Sequence, residues 1–298
     1  MDGICAFCGK QSKLMQSHVL PAFVFRWLRK QSGNGHIRRT DNPNVRVQDG
    51  LKLPWLCAPC EGHFGRFETA FATKVFHPWH VGENRIGYEE WMLKFAVSVS
   101  WRVLVYARGR NEAAIYSDEQ NRLMDDAELR WRAFLKGEVQ HPGSFEQHLL
   151  IFDFVEDTSI ENLPSNFNRF MIGAVTFDIV GSQRTLMTFA KMGRFMIFGI
   201  IQKGLNPWEG TKLHVKDGFL KPGRFVIPTG LIDLFREKAN ASSEAMAQIS
   251  DQQRAKIDKR IQENLDVFAA SDQFASIIAD AEMFGVDAVI SKPKKRKL

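Results

Sequence analysis

The sequence predicts an α+β protein: a cysteine-framed N-terminal module, a helical segment, an antiparallel sheet and C-terminal helices. Three observations predict it. Two C-x-x-C pairs bracket residues 5–60, apolar residues recur at helical spacing from about residue 88 to residue 137, and from His148 the pattern changes to period two or to solid apolar runs. With 298 residues and 44% hydrophobic content, the chain can bury a sizeable core. We divide it into a module over 1–80, an α+β body over 81–290 and a basic tail over 291–298, with no internal repeat.

"PAFVFRWLRK", residues 21–30, opens with a proline suited to a first helical turn. Phe23, Val24, Trp27 and Leu28 share a face, so a short amphipathic helix is expected, with Arg26, Arg29 and Lys30 on its wet side. The following "QSGNGHIRRTDNPNVRVQDGLKLPW" sets Gly, Asn, Asp and Pro between brief β-like runs, which predicts loops and a hairpin. In "EGHFGRFETAFATKVF", Phe64, Phe67, Phe71 and Val75 fall on one helical face, placing Cys60 at or near a helix start. "YEEWMLKFAVSVSWRVLVYARG" reads as a long buried helix from Tyr88 to about Gly109. Another begins near Asp118, where Ser117 can cap and Asp118 and Glu119 suit the positive end of the dipole, and ends near Gly137. "HLLIFDFV", "FMIGAVTFDIV" and "TLMTFAKMGRFMIFGII" read as strands of one antiparallel sheet, which "GTKLHV" and "GRFVIP" would extend. Helix returns from about Thr229, and the tail after Ile290, apolar only at Leu298, is expected to be disordered.

The formal net charge of +6 is unevenly spread: residues 1–80 hold eleven Lys/Arg against five Asp/Glu, and "SKPKKRKL" adds five more cations, leaving the middle acidic. A basic module beside an acidic one suits electrostatic binding of a phosphate backbone. No run of about 18 or more apolar residues appears, and the N-terminus lacks the order of a secretory signal. A soluble, cytoplasmic protein without a membrane partner is expected. "PKKRKL" resembles a single-cluster nuclear import signal, the alternative address if the source has a nucleus.

Four cysteines are too few for a disulfide scaffold in a chain of this size, and their pairing points instead to metal in a reducing compartment. Zinc takes four soft ligands in a tetrahedron, which Cys5, Cys8, Cys57 and Cys60 supply with none left over. Buried free cysteine would not explain two C-x-x-C pairs as the only cysteines, and neither pair sits in a thioredoxin-like unit. A structural Zn2+ linking the ends of this segment is the reading we adopt.

"CAFCGK", "SHVLPAF" and "LKLPWLCAPCEGHF" together resemble the HNH endonucleases of the ββα-metal type with a zinc-ribbon frame; the resemblance covers about the first 75 residues. It implies a general base at His18 and a catalytic Mg2+ or Mn2+ near Glu61, which falls where such enzymes place their second metal ligand. Ser17 stands where an acidic ligand is usual and Lys52 where the middle Asn would be, so the catalytic pattern is partly divergent. His63 is the further candidate to complete the site; Glu68, Asp49, Asn44, Asn42 and His36 are groups that could approach it. Each has an ordinary structural alternative: a backbone-bonded imidazole at His18, a helix N-terminal charge at Glu61, a solvated helix residue at Glu68.

Arg26, Arg29, Arg38, Arg39, Arg46 and Arg66 surround these motifs and are the candidates for phosphate contact. Trp27 and Trp55 read as core rather than as base-stacking platforms. The functional expectation is an HNH-like metal-dependent nuclease cleaving DNA, or RNA, for which a host-defence or mobile-element setting would suit. The alternatives are a catalytically silent zinc module that binds nucleic acid and a protein-interaction adaptor. The body over 81–290, with no phosphate loop, dinucleotide fingerprint or nucleophile elbow, is where a sensed ligand, a protein partner or a second copy would bind.

Overall fold

The structure, a computed structural model, describes residues 2–110 and 116–290. It is α+β, with antiparallel sheets and a helical C-terminal part. Strands β1 (Asp2–Ile4), β2 (Gln11–His18) and β5 (Lys52–Cys57) form a three-stranded sheet in the order β1-β2-β5. The first cysteine pair lies in the β1–β2 turn, where Gly9 at φ +74° allows its amide to reach the Cys5 carbonyl at 2.9 Å. Between β2 and β5 run α1 (Ala22–Gln31) and a two-stranded ribbon of β3 (Ile37–Arg38) and β4 (Arg46–Val47). As the spacing predicts, Phe23, Val24 and Trp27 are the buried side of α1.

Helix α2 (Ala58–Phe71) starts directly from β5: Cys57 is its N-cap, with a proline in the first turn. It continues through a π-helical turn (Ala72–Phe76) into the short α3 (His77–His80). Next come β6 (Ile86–Tyr88) and α4 (Glu90–Arg108), which is buried on nearly every side, as an all-round apolar helix must be. Tyr88 precedes that helix: it lies in β6, opposite Gly218 of β11 (Gly218–Leu220), and its hydroxyl accepts from the His214 amide at 3.2 Å. Helix α5 (Asp118–Lys136) has the expected Ser117 cap, completed as a capping box by Gln120, and stops at Gly137 with φ +78°.

The main sheet contains β7 (Gln147–Ile151), β8 (Val175–Ser182), β9 (Thr185–Met192) and β10 (Phe195–Gln202), in the antiparallel order β7-β10-β9-β8. Thr211 and Leu213 hydrogen-bond along the outer edge of β7, so "GTKLHV" does border the sheet. "GRFVIP" does not; its one bridge joins Val226 to Glu209. Two strand boundaries also differ from expectation. The first strand ends at Ile151, beyond which the side chain of Asn168 takes both backbone groups of Val155, at 2.8 and 3.1 Å. Residues 170–173 belong to α6 (Phe167–Gly173), because a short apolar run fits a buried helix as well as a strand. The fully buried Lys191 fixes that helical end, donating to Met171 O at 2.8 Å, Ala174 O at 3.3 Å and Gly193 O at 2.5 Å.

One buried cluster joins the N-terminal module to α4, α5 and one face of this sheet, running across residue 80 through pairs such as Phe71–Phe95, stacked at 4.1 Å. A second covers the opposite face under α6 and α7 (Gly230–Ala247). Covered on both faces, β9 and β10 are buried at every residue except Thr185 and Gln202. Helices α8 (Asp251–Glu263), α9 (Leu265–Ala269), α10 (Asp272–Phe284) and α11 (Val286–Val289) complete the described chain. Helix α10 returns to the N-terminal module, where Asp272 bonds His80 Nδ1 at 2.6 Å and Gln31. No described helix is long and apolar enough to cross a membrane. The basic tail over 291–298 lies outside the described residues.

Candidate metal centre and adjoining site

The two C-x-x-C pairs meet because the β1–β2 turn carries one and the β5–α2 junction the other. Their four sulfurs lie within 4.8 Å of one another, Cys8 Sγ being 3.8 Å from Cys57 Sγ. Zinc–sulfur bonds of about 2.3 Å in a tetrahedron require sulfurs about 3.8 Å apart, so the thiols are compatible with a structural zinc. Burial alone would raise the Cys5 thiol, yet the backbone amides of Cys8, Cys57 and Phe7, with the Cys8 thiol, bring it down to about 7. Burial first, then neighbouring thiols, push Cys60 up, and burial does the same at Cys57. Without a cation the four cannot all ionise; a bound Zn2+ reverses that and holds them as thiolates. Among the described residues, no other group of three or more His, Cys, Asp or Glu converges as metal ligands.

Beside this centre, antiparallel pairing of β2 with β5 sets His18 opposite Lys52 and Ser17 opposite Leu53. Glu61, one residue past Cys60 in the first turn of α2, accepts a 2.5 Å hydrogen bond from the buried Ser17 hydroxyl. The two positions at which the HNH pattern places metal ligands are thus in contact. His18 Nε2 lies 2.8 Å from Asp49 Oδ1, and the other oxygen of Asp49 lies 2.6 Å from Lys52 Nζ. Burial would raise the Asp49 carboxyl, but hydrogen bonds from Lys52, His18 and the Gly50 amide hold it below the usual carboxylate range. An ionised Asp49 can only accept, so the proton on this edge of His18 sits on Nε2, leaving the lone pair of a neutral ring on Nδ1. The ring lies nearly parallel to that of Phe25.

The backbone of His18 is held from outside the module. Arg102, buried on α4, donates from Nη1 to His18 O at 3.2 Å and to Glu68 Oε1 at 2.6 Å, and its Nε bonds Ser98 O. Sequence reasoning missed Arg102; the available signal was a guanidinium inside an otherwise apolar helix, where a buried charge requires partners. Glu68 is accordingly an ion-pair residue.

His63 does not join His18 and Glu61. Its Nε2 lies 2.9 Å from Leu135 O on α5, its Nδ1 faces Arg66 Nη2 at 2.9 Å, and Phe7 and Phe67 flank the ring. Burial, with Arg66 and Lys94 nearby, keeps it below the ordinary histidine range. Of the loop residues that might approach His18, Asp49 does so. Asn44 instead bonds Gln248 and Ser250, and His36 sits among arginines. Trp27 and Trp55 pack on Phe76 and Trp101, as core residues.

The six candidate arginines separate. Arg66 is tied to His63, and Arg39 pairs with Asp41 through contacts that include an Nε–Oδ1 distance of 2.9 Å. Arg26 and Lys30 lower the pKa of His77, after the larger effect of its burial. Arg29, Arg38 and Arg46 gather around His36. Comparison with family models, with curated proteins and with solved structures finds no match to this chain.

Proposed function

We propose that the chain is a zinc-framed nuclease of the HNH type that hydrolyses phosphodiester bonds in DNA, or in RNA, with His18 as the general base. The observation that carries this reading is the Asp49–His18 hydrogen bond. It occupies Nε2, orients the ring and directs the basic nitrogen away from the carboxylate. His18 then takes a proton from water at Nδ1 as the water oxygen attacks phosphorus, and the leaving oxygen departs with the bond electrons. Lys52, opposite His18, adds a positive charge beside the base.

For a divalent ion this site offers Glu61, one of whose oxygens accepts from Ser17, whereas both oxygens of Asp49 are engaged. That suits Mg2+ or Mn2+ held jointly with water and substrate phosphate, as hard cations commonly are at phosphoryl sites. When bound there, such an ion stabilises charge on the phosphate and on the leaving oxygen. A zinc held by Cys5, Cys8, Cys57 and Cys60 would keep β2, β5 and α2 in their relative places, and with them Ser17, His18 and Glu61.

A second reading is favoured by the Ser17–Glu61 bond, which occupies the ligand carboxylate: a zinc module that binds nucleic acid without cutting it. Purified protein with plasmid and RNA substrates plus Mg2+ or Mn2+, beside His18→Ala, separates the two. Cleavage abolished by His18→Ala is expected. Cleavage that survives the substitution rejects the assigned base, and binding without cleavage favours the silent module.

A further inference from the structure

The ribbon of β3 and β4 places Arg38 directly opposite Arg46. Like charges at opposed ladder positions repel, and among the described residues no carboxylate pairs with either arginine. Arg38 donates to Pro43 O at 2.5 Å and Gln253 Oε1 at 3.1 Å, both neutral acceptors. Among the described residues no carboxylate lies within 4.0 Å of Arg29, Arg38 or Arg46. Helix α8 brings a fourth guanidinium, Arg260, whose nearest carboxylate, on Glu263, is a loose 3.8 Å away. All four arginines act on His36, which burial and their charge keep below its ordinary range.

Helix α8 is itself unusual, for none of its thirteen residues is buried. Polar bonds tie it to the ribbon: Arg38 to Gln253, and Asn44 to Gln248 O at 3.0 Å and to the Ser250 amide, at the N-cap of the helix, at 2.8 Å. A helix that buries no side chain adds little to the core. Its placement instead completes a positive surface from segments more than two hundred residues apart in sequence.

We propose that Arg29, Arg38, Arg46 and Arg260 form a phosphate-binding tract that seats a nucleic-acid backbone, with α8 as its outer wall. The inference rests on the nucleic-acid reading above for the identity of the polyanion, but not on its chemistry. Guanidinium groups match phosphate oxygens, and among the described residues Arg29, Arg38 and Arg46 have no carboxylate partner that would compete for them. Contacts of this kind position a backbone and carry no base preference.

The test uses the full chain carrying His18→Ala, so that cleavage does not intervene, and a fluorescein-labelled duplex of mixed sequence titrated at several salt concentrations without divalent ions. Arg46→Gln with Arg260→Gln is expected to weaken binding on the order of tenfold and to reduce the log–log salt slope by about 2, equally for unrelated sequences. Both side chains are exposed, so the melting temperature should stay unchanged. Arg184→Gln, at an exposed arginine in the turn between β8 and β9, should leave affinity and slope as they were. An unaltered slope in the double variant overturns the tract, as does a wild-type chain that binds no duplex. Anionic phosphatidylserine vesicles provide the other arm: binding to them that needs Arg46 and Arg260, without duplex binding, assigns the surface to a lipid headgroup and overturns the proposal. Absence of cleavage by the wild-type chain, by contrast, rejects the nuclease reading and leaves this result standing.

Discussion

Arg102 Nη1 donates to the carbonyl oxygen of His18 at 3.2 Å. A side chain of α4 thus fixes the backbone of the proposed base, and the same nitrogen pairs with Glu68 of α2. The acidic body therefore acts as part of the support beneath the site. Removing one partner of a buried ion pair leaves the other charge uncompensated, at a cost of about 3 kcal/mol. Arg102→Met should lower urea stability by that order, and Arg102→Met with Glu68→Leu should recover much of it. Equal stability of the single and double variants would argue against the pair.

Asp49→Asn tests the orientation of His18. An amide can present its NH2 group to the ring and permit the other tautomer, which no longer directs the lone pair of Nδ1 outward. Nicking of plasmid should fall by on the order of a hundredfold with little change in KM. A change confined to KM would reassign Asp49 to substrate binding.

Metal analysis should find one zinc per chain, absent from Cys57→Ser. Because the ion closes a loop of some fifty residues, chelation should release the backbone amides of β1, β2 and β5 before those of β9 and β10. Hydrogen exchange followed by mass spectrometry reads that order. Simultaneous exchange in both sheets would mean that the metal holds the entire fold.

Acid stability should depend on His148, which is 1% exposed, bonded through Nδ1 to Thr211 Oγ1 and packed at a tilt against Trp208. Burial brings its pKa down to about 4 despite the nearby Glu146 carboxylate. The unfolded chain binds the extra proton first, so this contribution is complete above about pH 6.5 and is lost as pH falls toward 4. At most about 3 kcal/mol is involved. His148→Gln should flatten the stability profile in that window, and an unchanged slope would place the acid sensitivity elsewhere.

Lys191→Met should cost about 3 kcal/mol, since Met171 O, Ala174 O and Gly193 O would lose their shared donor in a dry site. Chemical denaturation measures the loss. Faster amide exchange at Ala174 and Gly193 would locate it.

Much of the secondary structure is written locally. Ser117, Gln120 and Gly137 bound α5, and the helical apolar face of α1 is plain at Phe23, Val24 and Trp27. The cysteine pairs announce their own meeting, because few other arrangements use four thiols so spaced. Ambiguity arises where burial is complete: "FMIG" is equally apolar as helix or strand, and the lysine that fixes its helical end lies some twenty residues onward. The site divides in the same way. His18, Ser17 and Glu61 are singled out by the resemblance to the HNH pattern, whereas Arg102 and Arg260 reach their partners through tertiary packing that no local pattern records. His63 shows the converse: two residues past Glu61 on a helix is about 200° around it, and its ring goes to α5.

The hydrogen bond between His80 and Asp272 joins residues 192 positions apart. At about 5–20 residues per second, ribosomal synthesis separates them by roughly 10–40 s. Through that interval the cysteine pairs are already present and can load metal, while His80, Gln31 and the β3–β4 ribbon wait for α8 and α10. A nascent chain would thus have all four cysteines together well before Arg260 reaches the β3–β4 ribbon, and a ribosome stalled between the two would display the N-terminal module without its C-terminal wall.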